Sequence, residues 1–205
     1  MYFSVQDNTA QLCYQLMAGS IVPRPIAWIS TRSAEGMDNL APYSFFTVAS
    51  CNPPVLAVTQ VNPRDRAAKD TLNNLSAAGQ CVVNIVSHDQ AALMNASCAD
   101  YPPTISEFDA LGIARTASAL VEPCGVAAAQ VRFECRLREI KLISAEPMGG
   151  TMMLLDVLGI HVDDALLDNG QINPALLDAI GKLGGDGYST TRDRFAMSRP
   201  VYSAG

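Results

Sequence analysis

The sequence has little charge and no basic stripe. Charged residues make up 17% of its 205 residues, against ~25% in an ordinary soluble protein. The formal net charge is −6, and the 14 Lys and Arg residues form no cluster. Nucleic acids and anionic membranes need a basic surface, so we expect neither as a partner. The shortage of charge also indicates that part of the apolar surface lies in a subunit interface.

Residues for metal or disulfide chemistry are sparse too. His88 and His161 lie far apart, which argues against a metal site. Six cysteines are widely spaced with no C-x-x-C pair, a pattern typical of buried reduced thiols. No secretory signal is recognisable, and Asp156 interrupts the longest apolar stretch. We therefore expect a cytoplasmic protein that forms one domain over residues 1–205.

Common catalytic motifs are missing as well. The sequence contains no G-x-G-x-x-G, no G-x-x-x-x-G-K-[ST], no H-E-x-x-H and no G-x-S-x-G. These absences argue against a Rossmann dinucleotide site, a P-loop, a zinc peptidase and a serine hydrolase. If the protein is an enzyme, a bound cofactor is expected to carry the chemistry.

What the sequence does contain is mainly strand and turn. In "VRFECRLR" (131–138), apolar and charged residues alternate strictly, as in a strand with one buried face. Further apolar runs rich in β-formers occupy 25–31, 54–60, 80–87 and 151–162. Helices are predicted over 69–79, 87–97 and 173–185. This order favours a small Greek-key β-barrel with a few short helices over a parallel doubly wound sheet.

Two stretches could form a phosphate site. "RPIAWIST" ends in the hydroxyls of Ser30 and Thr31, and "NPRDRAAKDT" brings Arg64, Arg66 and Lys69 to the start of a predicted helix. Hydroxyls, cations and a helix N-terminus together favour an anion. Taken alone, the second stretch is better explained as a solvated loop with an ordinary cap.

The stretch "NLAPYSFF" (39–46) is unusual for a strand. Pro42 is expected to end the pairing, which would leave nearby backbone groups free to face a planar polar ligand. Ser44 would offer a donor and an acceptor, and the aromatic residues would close an apolar wall. The alternative is a bulged edge strand with its aromatics in the core.

Read in order, these motifs resemble one family. "RPIAWIST…GMDNLAPYSFF…CNPPVLAVTQ…KDTLNNL…CVVNIV" and "FECRL…GIHV…LLDNGQINPALLDAIGKLGGDGY" are similar to the two halves of the flavin reductase-like, flavoredoxin-type FMN-binding split-barrel proteins. The resemblance covers nearly the whole chain. It implies a mainly β, six-stranded split barrel that is homodimeric and binds one FMN per subunit near the dimer interface.

The resemblance also implies roles for particular residues. The residues expected to hold the phosphate are Ser30, Thr31, Lys69, Asp70 and Thr71. Those expected to line the ribityl chain and the ring are Asn39, Leu40, Ala41, Ser44, Phe45 and Phe46, supported by Arg24 and Trp28. His161 and Tyr188 would face the flavin, although His161 could equally be a structural strand-end residue and Tyr188 could pack at the dimer interface. Thr47 departs from the family, which often has Asn there.

The expected function follows from the resemblance. It is an oxidoreductase that transfers hydride from NADH or NADPH to FMN and passes electrons to free flavin, a monooxygenase partner or another acceptor. Ser44 or nearby backbone would stabilise charge on the reduced ring, and His161 would contact the nicotinamide. The alternatives are a flavoredoxin-like electron carrier without its own NAD(P)H site, or a specialised FMN enzyme acting on a small organic substrate.

Overall fold

The computed structural model describes residues 1–63 and 69–202. Within these ranges the α-helices are α1 (Ala10–Ser20), α2 (Asp70–Ala78), α3 (Ala91–Ala96), α4 (Glu107–Ala110) and α5 (Pro174–Leu177). The longer strands are β2 (Ala27–Arg32), β3 (Asp38–Tyr43), β4 (Phe46–Cys51), β5 (Pro54–Val61), β6 (Gln80–Ile85), β9 (Val131–Leu142) and β10 (Gly150–Val162). The short strands are β1 (Arg24–Pro25), β7 (Arg115–Thr116), β8 (Gly125–Val126), β11 (Leu167–Asp168), β12 (Gln171–Ile172), β13 (Ile180–Lys182) and β14 (Tyr188–Thr190).

The seven longer strands form one antiparallel sheet in the order β3-β2-β6-β9-β10-β5-β4. The stretch "NLAPYSFF" belongs to both edges of this sheet, since β3 lies at one edge and β4 at the other. Between them the Phe45 carbonyl accepts a hydrogen bond from Thr59 N at 2.8 Å, which links the end of β3 to β5. The chain therefore crosses from edge to edge and closes the sheet into a barrel, with seven strands in the described part of the chain rather than the six expected.

Two apolar cores pack on opposite faces of β2. Ala27 and Ile29 point into the barrel with residues of β5, β6 and β10. Ile26 and Trp28 point the other way, against Phe108 of α4 and other residues outside the barrel. Such alternation is typical of a strand that is buried on both faces. It places the hydroxyls of Ser30 and Thr31 on opposite faces of β2.

The strand predictions are confirmed, and the helix predictions are confirmed in part. Helix α2 ends at Gly79, whose φ of 68° is the left-handed conformation that glycine favours. The predicted helix over 173–185 is wrong beyond α5. The helix begins as expected, with Asn173 accepting from Ala175 N, but Asp178 adopts a φ of 45° and the chain then enters β13. Pairing of β13 with β1 and β14 outweighs the helical pattern of the sequence.

Helix α1 was not predicted, because its apolar and polar residues show little periodic contrast. Thr9 caps it by accepting from Leu12 N at 3.2 Å. No helix in the described ranges is long and apolar enough to cross a membrane. All six cysteines are free thiols, but the prediction that they are buried holds only for Cys81, Cys124 and Cys135.

Candidate functional site

A cleft runs along the outer edge of β3 and is here named the β3 cleft. One cavity of about 100 Å³ lies toward the start of α2, and we call it the α2 end; its lining includes Asn39, Ala41, Lys69, Asp70, Thr71 and Glu107. A second cavity of about 90 Å³ lies toward β13, and we call it the β13 end; its lining includes Ile26, Ser44, Met94, Lys182 and Tyr188. Both cavities are lined by Pro42 and Cys98, so they adjoin.

Pro42 sits at the centre of this cleft without interrupting β3. The Leu40 amide points away from β2, because it donates to Glu107 Oε2 at 2.8 Å. Outward-pointing amides recur at every second residue of an antiparallel edge strand, so the missing N–H of Pro42 also falls on the cleft side. Pairing with β2 continues through Tyr43. The expectation that pairing stops at Pro42 is therefore wrong.

At the α2 end, buried amides and hydroxyls form a neutral network. Asn74 Nδ2 donates to Thr31 Oγ1 at 3.0 Å, and Asn39 Nδ2 donates to Thr71 Oγ1 at 3.0 Å. Asn39 also approaches Thr31 Oγ1 at 3.5 Å. This network fixes the first turn of α2 against β2 and β3. It brings together three of the predicted site residues from different parts of the chain.

Lys69 brings a cation to the same end. It is the N-cap residue of α2, and its side chain makes no capping hydrogen bond. Its Nζ lies 5.9 Å from the centroid of the Tyr43 ring. Arg64 and Arg66, predicted to contribute here, lie outside the described residues. The N-terminus of α2 has no side-chain cap, and together with the Lys69 ammonium it favours binding of an anion.

Glu107 is a carboxylate at this end that sequence reasoning missed. It lies on α4, is buried, and accepts the Leu40 amide. Burial raises the pKa of Glu107; the hydrogen bond from Leu40 opposes that shift, and the negative charge of Asp70 adds to it. Glu107 is therefore easier to protonate than an ordinary glutamate.

At the β13 end, one buried guanidinium organises the structure. Arg24 Nη2 donates to the Leu183 carbonyl at 2.9 Å, and Nη1 donates to the carbonyls of Ile21, at 3.1 Å, and Ala18. Its Nε donates to Ser44 Oγ at 3.3 Å. Arg24 thus ties the end of α1 and the chain after β13 to Ser44. The predicted supporting role of Arg24 has a physical basis in these contacts.

Lys182 and Tyr188 face each other across the pair β13 and β14. Lys182 Nζ lies 4.3 Å from the centroid of the Tyr188 ring and donates to the carbonyls of Gly187, at 3.2 Å, and Gly185. The Tyr188 hydroxyl donates to Asn95 Oδ1 at 3.0 Å, and burial raises its pKa. Lys182 was missed because its segment was predicted to be helical.

Cys98 lies where the two ends meet, and sequence reasoning missed it as well. Its thiol lines both cavities. Burial raises its pKa, and the positive charges of Lys69 and Lys182 oppose that shift. Both lysines therefore act electrostatically on one atom in the middle of the cleft. The β3 cleft is a continuous groove with an ammonium group toward each end.

Several predicted residues do not line the cleft. Ser30 points to the other face of β2 and donates to the Cys124 carbonyl. Trp28 is buried and donates from Nε1 to Ser97 Oγ at 2.9 Å, while the Leu40 side chain joins the same core. Phe46 packs against the barrel core, and Phe45 packs at 6.3 Å from the Tyr14 ring.

His161 is exposed near the end of β10 and stands apart from the cleft. The register places it opposite Arg132, which pairs with Asn84, which pairs with Trp28. His161 is therefore three strand spacings, of ~4.8 Å each, from β2. Within the described part of one chain it lines neither end of the cleft.

Comparisons with known proteins agree on one family. The family model of the flavin reductase like domain matches residues 18–184. An uncharacterized protein of Deinococcus radiodurans is 39% identical over a 199-residue alignment that covers 93% of this chain and 86% of that protein.

Two solved structures are similar over almost their whole length. Nitrilotriacetate monooxygenase component B from Bacillus cereus has a TM-score of 0.91 and 29% identity, covering 96% of this chain and 98% of its own. The 2-nitrobenzoate 2-nitroreductase NbaA of Pseudomonas fluorescens has a TM-score of 0.88 and 30% identity, covering 100% of both chains. A third structure, a split-barrel protein of Shewanella frigidimarina, has a TM-score of 0.83 and 20% identity and covers 98% of this chain and 100% of its own, which confirms the split-barrel fold predicted from the motifs.

Proposed function

This chain belongs to the flavin reductase-like family, and from that premise we propose that it binds FMN in the β3 cleft and is an NAD(P)H-dependent FMN oxidoreductase. The observation that carries the proposal is the pairing of an anion-favouring helix start with an apolar, hydroxyl-bearing cavity along one edge strand. FMN has the same two parts, a phosphate and a planar ring with polar edges. The residues present fit the cofactor.

The phosphate belongs at the α2 end. Lys69 supplies the cation, and the start of α2 supplies backbone N–H groups held in place by the Thr31, Asn39 and Thr71 network. Asp70 lines the same cavity and offers its backbone amide. Its carboxylate, in the first turn of α2, is stabilised by the positive end of the helix dipole. Ser30 does not join this set, because its side chain faces the other side of β2 and its backbone pairs with β3 and β6.

The ring belongs at the β13 end. Ile26, Met94 and Pro42 provide apolar surface, and Ser44 and Tyr188 provide hydroxyls. Asn39 and Ala41 line the path between phosphate and ring, where the ribityl chain would lie. Arg24 fixes the Ser44 hydroxyl, so that its donor or acceptor is preset before the cofactor arrives.

The flavin, when bound, supplies hydride and electron transfer, which this chain's own side chains do not provide. The task of the chain is to bind, orient and polarise. Ser44 places a hydroxyl at the ring cavity, and Lys182 places a positive charge beside it. Positive charge near the ring favours the more negatively charged redox state.

We propose further that the protein is a homodimer. Exposed apolar side chains on β4, on β10 and at the end of β9 support this, among them Val48, Leu142, Ile143, Leu158 and Ile160. His161 follows Ile160 on β10, so the predicted contact between His161 and a nicotinamide requires a second subunit whose cleft approaches this face. In that arrangement His161 of one chain serves the cofactor of the other.

The similar proteins differ in their named activities, so they suggest more than one electron acceptor for this chain. The two similar structures are named as a monooxygenase component and as a nitroreductase. We therefore propose free flavin destined for a monooxygenase as the first acceptor class. Because the similarity to NbaA is as extensive, a nitroaromatic compound is the second.

An anaerobic absorption experiment tests the proposal. The purified protein is reconstituted with FMN, and spectra are recorded before and after addition of NADH and then NADPH. Bleaching of the flavin with either nucleotide supports the reductase, and subsequent addition of free FMN or 2-nitrobenzoate identifies the acceptor class. A bound flavin that bleaches with dithionite but with neither nucleotide would favour an electron carrier, and no bound flavin would refute the proposal.

A further inference from the structure

A separate cavity lies between the end of β2, the start of β6 and the loop that joins β7 to β8. Its volume is about 590 Å³, and none of its lining residues lines either end of the β3 cleft. We call it the β7–β8 cavity. Sites for small molecules typically measure ~300–1,000 Å³, so this space is large enough for a ligand of its own.

We propose that the β7–β8 cavity binds a small carboxylic acid that carries one negative charge and an apolar body. The guanidinium of Arg32 binds the carboxylate, and the side chains of Leu120 and Val121 contact the apolar body. The inference does not depend on the proposed function, because the cavity and the cleft are built from different residues.

Arg32 presents an unused edge of its guanidinium. Its Nε donates to Asp38 Oδ1 at 2.9 Å, whereas its Nη groups donate to no acceptor among residues 1–63 and 69–202. The Arg32 side chain is 39% exposed, so a ligand can reach it. A planar guanidinium binds a carboxylate through two parallel N–H···O bonds. Because Asp38 already holds Nε, the two Nη groups are oriented before a ligand arrives.

A second guanidinium, that of Arg115, keeps Asp38 in this position. Arg115 Nε donates to Asp38 Oδ2 at 2.9 Å, Nη1 donates to Asp109 Oδ1 at 2.7 Å, and Nη2 donates to Ser106 Oγ at 3.2 Å. All three nitrogens of Arg115 are therefore engaged within the protein. Arg115 is structural, and Arg32 is the arginine of this cavity that remains available to a ligand.

The loop between β7 and β8 forms another wall, and internal hydrogen bonds fix it. The two carboxylate oxygens of Glu134 accept the backbone amides of Ala119, at 2.9 Å, and Leu120, at 2.6 Å. Gln80 Oε1 accepts the Glu122 amide at 2.8 Å. The exposed side chain of Leu120 is thereby held at the cavity. A pre-formed wall with an apolar side chain favours a ligand with an apolar body.

The charges around the cavity favour a ligand with a single negative charge. The hydrogen bond and charge of Asp38 raise the pKa of Arg32 most, and the charge of Glu122, which also lines the cavity, adds to the shift. Burial raises the pKa of the Cys124 thiol to about 11, so the thiol is neutral at pH 7. One available guanidinium near two carboxylates attracts a monoanion but repels the second charge of a dianion.

Calorimetric titration with three probes tests the proposal. The probes are benzoate, its neutral analogue benzamide and its doubly charged analogue phthalate. Arg32→Gln removes the guanidinium, and Ala117→Phe fills the cavity from an exposed alanine of the loop. Ala127→Phe is the matched control, because Ala127 is also exposed but does not line the cavity. Urea unfolding verifies that each full-length variant is folded.

We expect the unsubstituted protein to bind benzoate at least tenfold more tightly than benzamide or phthalate. Arg32→Gln and Ala117→Phe should each weaken benzoate binding at least fivefold, and Ala127→Phe should change it less than twofold. If benzoate does not bind, or if either cavity variant binds it as tightly as the unsubstituted protein, the proposed site is refuted. If benzamide or phthalate binds as tightly as benzoate, the assignment to a monocarboxylate is wrong. None of these results bears on FMN binding in the β3 cleft.

Discussion

The two ends of the β3 cleft resemble each other in composition but differ in construction. Each has a lysine near a tyrosine ring, Lys69 near Tyr43 and Lys182 near Tyr188. The α2 end is fixed by neutral amides and hydroxyls that bond one another, whereas the β13 end is fixed by the single guanidinium of Arg24. In a network of neutral groups, each side chain contributes a small part of the stability, whereas at the β13 end a large part depends on one buried charged side chain.

The largest expected effect is on the free energy of unfolding of the cofactor-free protein. Arg24→Met should lower the free energy of unfolding by roughly 3–5 kcal/mol, because it leaves the carbonyls of Ala18, Ile21 and Leu183 without their donor. Thr31→Val should cost only about 1–3 kcal/mol, because it removes one hydroxyl acceptor from the network. Urea unfolding measures both.

Arg24→Lys is the control for charge alone, and it should recover only part of the loss, since an ammonium cannot reproduce the fork of donors. Equal losses in Arg24→Met and Thr31→Val would show that the two ends are built alike and would remove the basis of the comparison.

The next test concerns binding at the α2 end. Lys69→Ala should weaken FMN binding by roughly 1.5–3 kcal/mol, the range for a hydrogen bond to a charged group. Riboflavin, which has no phosphate, should bind equally well to both proteins. Calorimetric titration with the two ligands measures the difference. Unchanged FMN affinity would remove Lys69 from the phosphate site, whereas an equal loss for riboflavin would mean that Lys69 supports the cleft as a whole.

The two ends also differ in how far the sequence predicts them. Thr31 and Lys69 were identified from local signals, a strand ending in hydroxyls and a helix start after a cation, whereas Asn39 was implied by the family resemblance. The strands of the barrel were predicted for the same reason, since alternation with a period of two is visible within a few residues. Local patterns thus predict most of the fold and the phosphate half of the candidate site.

The β13 end depends on contacts between residues distant in sequence. Arg24 and Leu183 are 159 positions apart, and Lys182 reaches the cleft only because β13 pairs with β1. The local pattern of 173–185 indicates a helix, and only tertiary pairing overrides it. Cys98 and Glu107 likewise come from segments without any motif, so the sequence alone offered no signal for them.

Lys182 provides a test specific to the β13 end. Lys182→Met should lower the midpoint potential of bound flavin, because it removes the positive charge beside the ring cavity. The expected shift is on the order of 30 mV, equivalent to about 1.4 kcal/mol for two electrons. Lys69→Ala should shift the potential much less, since Lys69 lies at the phosphate end. Dye-equilibrated anaerobic titration measures both potentials.

Lys182→Arg keeps the charge and should retain most of the potential. If Lys69→Ala and Lys182→Met shifted the potential equally, the assignment of phosphate and ring to different ends would be wrong. A shift confined to Lys69→Ala would indicate that FMN lies in the cleft in the opposite direction.

The smallest expected effect belongs to Glu107, the buried carboxylate of the α2 end. Burial raises the pKa of Glu107, so the folded state holds this proton more tightly than the unfolded state does. Its ionisation therefore destabilises the fold as the pH rises above the ordinary value of 4.5, and stability is recovered as the pH falls. Glu107→Gln keeps an acceptor for Leu40 N but does not titrate. The stability of the native protein relative to Glu107→Gln should therefore be greatest below pH 4.5 and decline as the pH rises above that value.

Glu35→Gln, at an exposed carboxylate of the β2–β3 turn, controls for the loss of one negative charge. Urea unfolding at each pH measures the difference. If native protein and Glu107→Gln change in parallel across this range, the Glu107 carboxylate is not destabilised by burial. The α2 end would then carry its full negative charge, and the phosphate would depend on Lys69 and the helix start against three carboxylates, those of Asp70, Asp100 and Glu107.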